Sequence, residues 1–115
     1  MEKITKISLL IDFYGGLLTE KQYNIIDLYY NNDFSLSEIA EHIGISRQGV
    51  HDTLKRSEEL LLSYEKKLKL TDKFIVQNNN IKIITDKLNI IKTHENTNNI
   101  NEIITLLETM IINNE

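Results

Sequence analysis

The sequence predicts an all-α chain, and three observations predict it. Proline is absent from the 115 residues, which removes the strongest helix breaker. The four glycines, Gly15, Gly16, Gly44 and Gly49, all fall in the first half. Apolar residues recur at steps of three and four along most of the length, the spacing of one helix face.

The first helix is expected over Ile4–Tyr14, with Ile4, Ile7, Ile11 and Tyr14 on one face and Gly15-Gly16 as its stop. Thr19 is placed to cap a second helix that runs to Tyr30, with Tyr23, Ile26 and Tyr30 as its apolar stripe. Asn31-Asn32-Asp33 forms a turn cluster. Ser35 followed three residues later by Glu38 has the form of a capping box, opening a short helix over Leu36–Ile43. In that helix Leu36, Ile39, Ala40 and Ile43 point inward. Gly44 ends it where a left-handed residue is favoured, Ile45 is an apolar plug, and Ser46 caps a long helix over Arg47–Leu68. Val50, Leu54, Ser57, Leu61, Tyr64 and Leu68 make a heptad-like stripe along that helix, broken in polarity only at Ser57.

Beyond Leu70 the composition shifts. A helix is expected to start over Thr71–Val76 with Thr71 as cap, and Asn78-Asn79-Asn80 should weaken it. Ile81, Ile84, Leu88 and Ile91 form a further stripe, Thr93–Asn99 a polar break, and Ile100, Ile104, Leu107 and Ile111 a last helix. The expected organisation is thus a domain over residues 1–70 and a helical extension over 71–115. No repeat of the solenoid kind is present.

Composition excludes several classes. There is no cysteine, hence no disulfide framework, thiolate metal site or thiol nucleophile, and a reducing cytoplasm is the expected compartment. The N-terminal residues lack a signal-peptide pattern. No apolar run reaches the roughly 18 residues of a membrane span, so no membrane insertion is expected. The formal net charge is −4, which opposes tight non-specific binding to phosphate chains.

The order of parts over Ser35–Arg56 is that of a helix-turn-helix: short capped helix, glycine turn, apolar plug, serine cap, longer helix. In such a unit the second helix offers its first turns to the major groove. The candidate nucleic-acid-binding residues are therefore Ser46, Arg47, Gln48, His51, Asp52, Lys55 and Arg56. At about 100° per residue, Arg47, His51 and Lys55 share a face, with Gln48 and Asp52 beside it. Arg47 suits bidentate pairing with guanine and Gln48 with adenine. Ser46 and the helix N-terminus suit a phosphate, and Lys55 and Arg56 suit phosphate clamps. Asp52 suits a cytosine amino group or the orientation of Arg47. A polar outer face is also what any soluble helix carries, and spacing alone leaves the two readings even.

Other chemistry has little support. His42, His51 and His94 lack partners at metal-ligand spacing, and Glu38 with His42 reads as a surface pair one turn apart. Ser46 and Ser57 lack a histidine–carboxylate arrangement. No catalytic residue, cofactor or metal is expected, so the chain reads as a non-enzyme. Tyr14, Tyr23, Tyr29 and Tyr30 are able to stack on RNA bases, although helical spacing favours the core.

Several separated blocks resemble one known family: Asp12–Gln22, Leu28-Tyr29-Tyr30, Asp33–Glu41, Ile45-Ser46-Arg47-Gln48, and Asp52 with Lys55-Arg56. Over residues 7–70 the chain resembles the YlxM family of helix-turn-helix proteins. The resemblance implies an all-helical fold with a helix-turn-helix like that of sigma factor region 4, and a tendency to dimerise. It also implies a regulatory part in the signal recognition particle pathway, with components of that particle as partners. Gly49 stands where the family usually has Ala, and His51 where an aromatic residue is common.

The C-terminal stripes carry more apolar surface than one small domain easily covers. A homodimer through Tyr64–Ile111 is expected, with Leu61, Tyr64, Leu68, Ile84, Leu88 and Ile91 at the interface; folding back onto the first domain is the alternative. Two functions follow. One is a nucleic-acid-binding regulator that presents recognition helices to DNA or structured RNA. The other is a protein-interaction accessory of the targeting machinery, which the acidic balance favours.

Overall fold

The computed structural model describes residues 2–111. Among these, the regular elements are helical: α1 (Lys3–Tyr14), a 3-10 turn (Gly15–Leu17), α2 (Glu20–Tyr30), α3 (Leu36–Ile43), α4 (Arg47–Leu68), α5 (Leu70–Ile91) and α6 (Thr97–Thr109). The chain divides into two compact units, Met1–Thr71 and Asp72–Glu115.

In the first unit, three helix starts are set by side chains. Thr19 accepts from the Gln22 amide and Gln22 answers to the Thr19 amide, a full capping box on α2. Ser35 and Glu38 do the same on α3. The Ser35 backbone N–H and hydroxyl hold the Glu38 carboxyl below the usual carboxylate range, since both favour its charged form. That contribution is present above the unfolded carboxyl's range and fades as pH falls through the lowered value. Ser46 caps α4 through the Gly49 amide at 3.0 Å.

The turn between α3 and α4 needs a left-handed residue, and Gly44 supplies it at φ 84°. Its amide and that of Ile45 both return to the Ala40 carbonyl, so the chain reverses within three residues. The α2–α3 turn passes through Asp33 at φ 59°, and Asp27 takes the amides of Asn31 and Asn32.

The core gathers α1, α2, α3 and the first four turns of α4. Ile7, Leu10, Ile11, Tyr14, Ile25, Ile26, Ile39, Val50, Leu54 and Leu61 form one buried cluster, with Leu36, Ala40, Ile43, Ile45 and Tyr64 packed on its margin. Ser57 is also fully buried. It fits an apolar stripe because its hydroxyl returns to the Thr53 carbonyl at 2.7 Å, so no polar group is orphaned. The α2 stripe is displaced from the expected one. Ile25 and Ile26 are the buried pair, while Tyr23 lies on the outside. A stripe drawn through the tyrosines passes over the stronger hydrophobes beside them.

The end of α4 is fixed by contacts distant in sequence. Lys69 turns left-handed at φ 55°, an uncommon state for a residue with a long side chain. The buried Tyr14 hydroxyl donates to Glu65 Oε1 at 2.6 Å and accepts the Leu70 amide at 3.0 Å. The same Glu65 oxygen accepts the Thr71 amide at 3.1 Å. Two orphan N–H groups at the start of α5 thus find partners. Thr71 lies inside α5 and is not its cap.

In the second unit, α5 runs unbroken through Asn78-Asn79-Asn80. Asparagine costs only about 0.7 kcal/mol per residue in a helix, and neither proline nor glycine adds to it. Gln77 donates to the Met110 carbonyl at 3.2 Å, which ties α5 to the end of α6. Ile81 and Ile100 are buried. The Thr93 and Asn96 side chains bond each other's amides in the turn between the helices. Val76, Ile83, Ile84, Ile90 and Ile91 on α5, and Ile103, Leu106 and Met110 on α6, are exposed. No helix among the described residues is long and apolar enough to cross a membrane.

Candidate nucleic-acid interface

The exposed face of α4 collects the residues expected there. Arg47, Gln48, His51, Asp52, Lys55 and Arg56 are all open to solvent, while Val50 and Leu54 on the other side are buried. Burial of that stripe fixes the rotation of α4 and therefore which side chains point out. α3 holds the helix from behind through Ile39.

Hydrogen bonds order part of this face. Gln48 Nε2 donates to Asp52 Oδ1 at 2.9 Å, and His51 Nδ1 lies 3.3 Å from the same oxygen. Asp52 therefore orients Gln48 and His51, not Arg47. Bidentate reading of adenine by Gln48 uses Oε1 and one Nε2–H, so the other Nε2–H is free to stay on Asp52. The Ser46 oxygen is occupied as a cap acceptor, which leaves its O–H hydrogen to donate. Among the described residues Arg47, Lys55 and Arg56 form no ion pair, while His51 Nδ1 lies in polar contact with Asp52. Asp52 and Glu58 lie within one turn of Lys55, yet neither closes an ion pair with it.

Gly49 sits inside this helix. A Cβ there would meet Ser46 Oγ at 3.1 Å and Ile45 Cδ1 at 3.7 Å. The first contact is tight, but Ser46 is exposed and its hydroxyl has room to shift by a few tenths of an ångström. Gly49→Ala is expected to raise stability by about 0.5–1 kcal/mol, the helix-propensity gain less a weakened cap. Thermal unfolding of the two proteins checks this.

Beside the face lies a cleft of about 310 Å³ lined by Lys3, Tyr29, Tyr30, Leu36, His51, Leu54, Lys55 and Glu58. The Tyr30 hydroxyl donates to Glu58. Burial first, and then this bond, push the Tyr30 hydroxyl above the usual tyrosine range, so it stays a donor. Tyr29 packs edge-on against Tyr30 with ring centres 5.0 Å apart. Sequence spacing gave no sign of this cleft, because Tyr30 and Glu58 are 28 residues apart. A hollow of about 650 Å³ along α6, lined by Asn98, Asn101, Glu102, Thr105 and Leu106, has no cation and no converging groups. Glu38 is engaged in its capping box, and His42 packs edge-on against Phe34 at 5.8 Å in place of the expected pair. Among the described residues no group of three or more His, Asp or Glu side chains is placed to hold a metal ion.

The expected interface residues separate into two groups. Leu61 is fully buried and Tyr64 half-buried, both against the core of their own unit, so both are engaged within one chain. Leu68, Ile84 and Ile91 are exposed, and Leu88 is half-buried.

Four helices around one core, with a glycine-turned pair that exposes the first turns of its second member, define a helix-turn-helix protein. Residues 1–104 match the family described as "Putative helix-turn-helix protein, YlxM / p13 like", UPF0122, and the chain belongs to that family. Among its relatives, a UPF0122 protein of Clostridium kluyveri is 44% identical over 114 residues, 99% of each chain. One of Acetivibrio thermocellus is 56% identical over 79 residues, covering 69% of this chain and 68% of that one. One of Streptococcus gordonii is 46% identical over 87 residues, 76% and 79% of the two chains.

Proposed function

We propose that this protein is a nucleic-acid-binding helix-turn-helix regulator that acts in the signal recognition particle pathway of the cytoplasm. The observation that carries the binding is the face of α4 shared by Arg47, His51 and Lys55, where Arg47 and Lys55 are exposed and without ion-pair partners, with Arg56 exposed further round the helix. Arg47 at the N-terminus of α4 suits a base edge or phosphate, and Lys55 two turns further on suits a second phosphate. The place in the pathway rests on the family resemblance. Capture of cellular RNA and DNA by the native protein, followed by sequencing, tests the function. Enrichment of one RNA or one operator is expected, and recovery of neither refutes it.

The net charge of −4 favours a second reading, in which the same face contacts a protein of the targeting machinery. Co-purification of a component of that machinery after nuclease treatment, with no nucleic acid retained, favours this one.

The protein is further proposed to act as a homodimer through its C-terminal helices, where Ile84 and Ile91 leave apolar surface in water. Sedimentation at tens of micromolar is expected to give twice the 13.4 kDa of one chain. Ile84→Ser with Ile91→Ser should return the monomer.

A further inference from the structure

Two clefts, each of about 310 Å³, are lined by the Tyr29–Tyr30 pair. Their walls share these rings, and their rims differ in charge. One rim carries Asp33 and Glu38, which repel an anion. The other carries Lys3, His51 and Lys55, with a single carboxylate, Glu58, that already accepts the Tyr30 hydroxyl. An aromatic wall with a cationic rim has the chemistry of a base seated beside its phosphate. Its volume lies at the lower end of the roughly 300–1,000 Å³ typical of small-ligand sites, enough for one nucleotide.

The position of the cationic cleft narrows the ligand further. His51 and Lys55 belong both to its rim and to the exposed face of α4, so a strand lying on that face reaches the cleft without a gap. A base held in a duplex is stacked on both sides and cannot enter. An unpaired base in a loop or bulge presents its face freely.

We propose that this cleft is a nucleotide site: it takes one unpaired base of a bound strand against Tyr29, with the adjoining phosphate on Lys3 and Lys55. The proposal rests on the nucleic-acid reading of α4 and extends it, since it makes the partner a structured RNA with an unpaired nucleotide. Leu54 floors the cleft as part of the buried core, and the Tyr30–Glu58 bond holds the wall behind Tyr29 in place.

The test is a titration of isotope-labelled protein, followed by NMR, with adenosine monophosphate, adenosine and inorganic phosphate in turn. Adenosine monophosphate should shift the Tyr29 ring and the amides of Leu54 and Lys55, and adenosine should shift the Tyr29 ring alone. Tyr29→Leu should weaken adenosine monophosphate by about tenfold, as expected for loss of one stacking partner, and Lys55→Gln should weaken it with the Tyr29 ring still responding. Equal shifts from inorganic phosphate, with no response of the Tyr29 ring, would mean an anion contact only and would overturn the site. A DNA duplex in a parallel sample separates the two readings. If the duplex shifts Arg47 and adenosine monophosphate leaves Tyr29 unmoved, the cleft proposal fails and the recognition face stands. If adenosine monophosphate shifts Tyr29 while a hairpin RNA with one unpaired adenosine leaves Arg47 unmoved, the recognition face fails and the cleft remains a nucleotide site.

Discussion

Arg47→Ala combined with Lys55→Ala is expected to lower affinity for a captured nucleic acid by at least about a hundredfold at moderate salt. Two separate losses combine. Arg47 stands in the first turn of α4 without an ion-pair partner, where a bidentate base contact contributes about 1–3 kcal/mol of discrimination. Lys55 lies two turns further along the same face, where a phosphate contact adds about 0.9 to the slope of log affinity against log salt. The single variants should therefore differ in kind. Arg47→Ala should relax sequence preference, whereas Lys55→Ala should weaken all sequences alike and flatten the salt dependence by about one unit. Fluorescence anisotropy across a salt series reads both. Affinity and slope unchanged in the double variant would remove the recognition face from the interface.

Tyr14→Ala is expected to cost about 3–5 kcal/mol of stability, the range for truncating a buried aromatic ring. The first unit spans about 70 residues, and a domain of that size has a net stability of roughly 4–10 kcal/mol. Much of the fold thus depends on this one side chain. Tyr14→Phe separates packing from hydrogen bonding. It keeps the ring in the buried cluster with Ile7, Leu10 and Leu61 but removes the acceptor of the Leu70 amide and one donor to Glu65, which keeps the Thr71 amide. A loss of about 1–3 kcal/mol is expected. Urea unfolding should show a lower midpoint with an unchanged slope. A midpoint equal to that of the native protein would mean that solvent replaces the hydroxyl without loss.

The parts of the fold that could be read from the sequence are those written within four residues. Ser35 with Glu38, Gly44 after Ile43, and Ser46 before Arg47 place α3, its turn and the start of α4, and the structure has α3 and α4 at the expected limits. The outer face of α4 follows from the same local pattern, because burying Val50 and Leu54 leaves Arg47, His51 and Lys55 outside. What the sequence hid is made by partners far apart along the chain. Lys69 carries no mark of a left-handed residue; it adopts one because Tyr14 and Glu65 hold the amides that follow. The asparagine run, expected to weaken its helix, leaves α5 continuous, since three modest penalties do not outweigh the cooperativity of a 22-residue helix. The Tyr29 cleft is assembled from α1, α2, α3 and α4, and periodicity along one helix cannot reveal a space between four.

The bond from Tyr14 to Glu65 also bears on the order in which the first unit assembles. Its ends lie 51 residues apart, whereas the caps of α2, α3 and α4 each close over three. Short-range closures form early and long-range ones late, since a larger loop gives up more chain entropy before it gains a contact. The bond thus acts as the clasp of the domain, fastened after the helices have met. Its loss in Tyr14→Phe should leave the refolding rate nearly unchanged and accelerate unfolding. The protein would still find its shape, but hold it for less time.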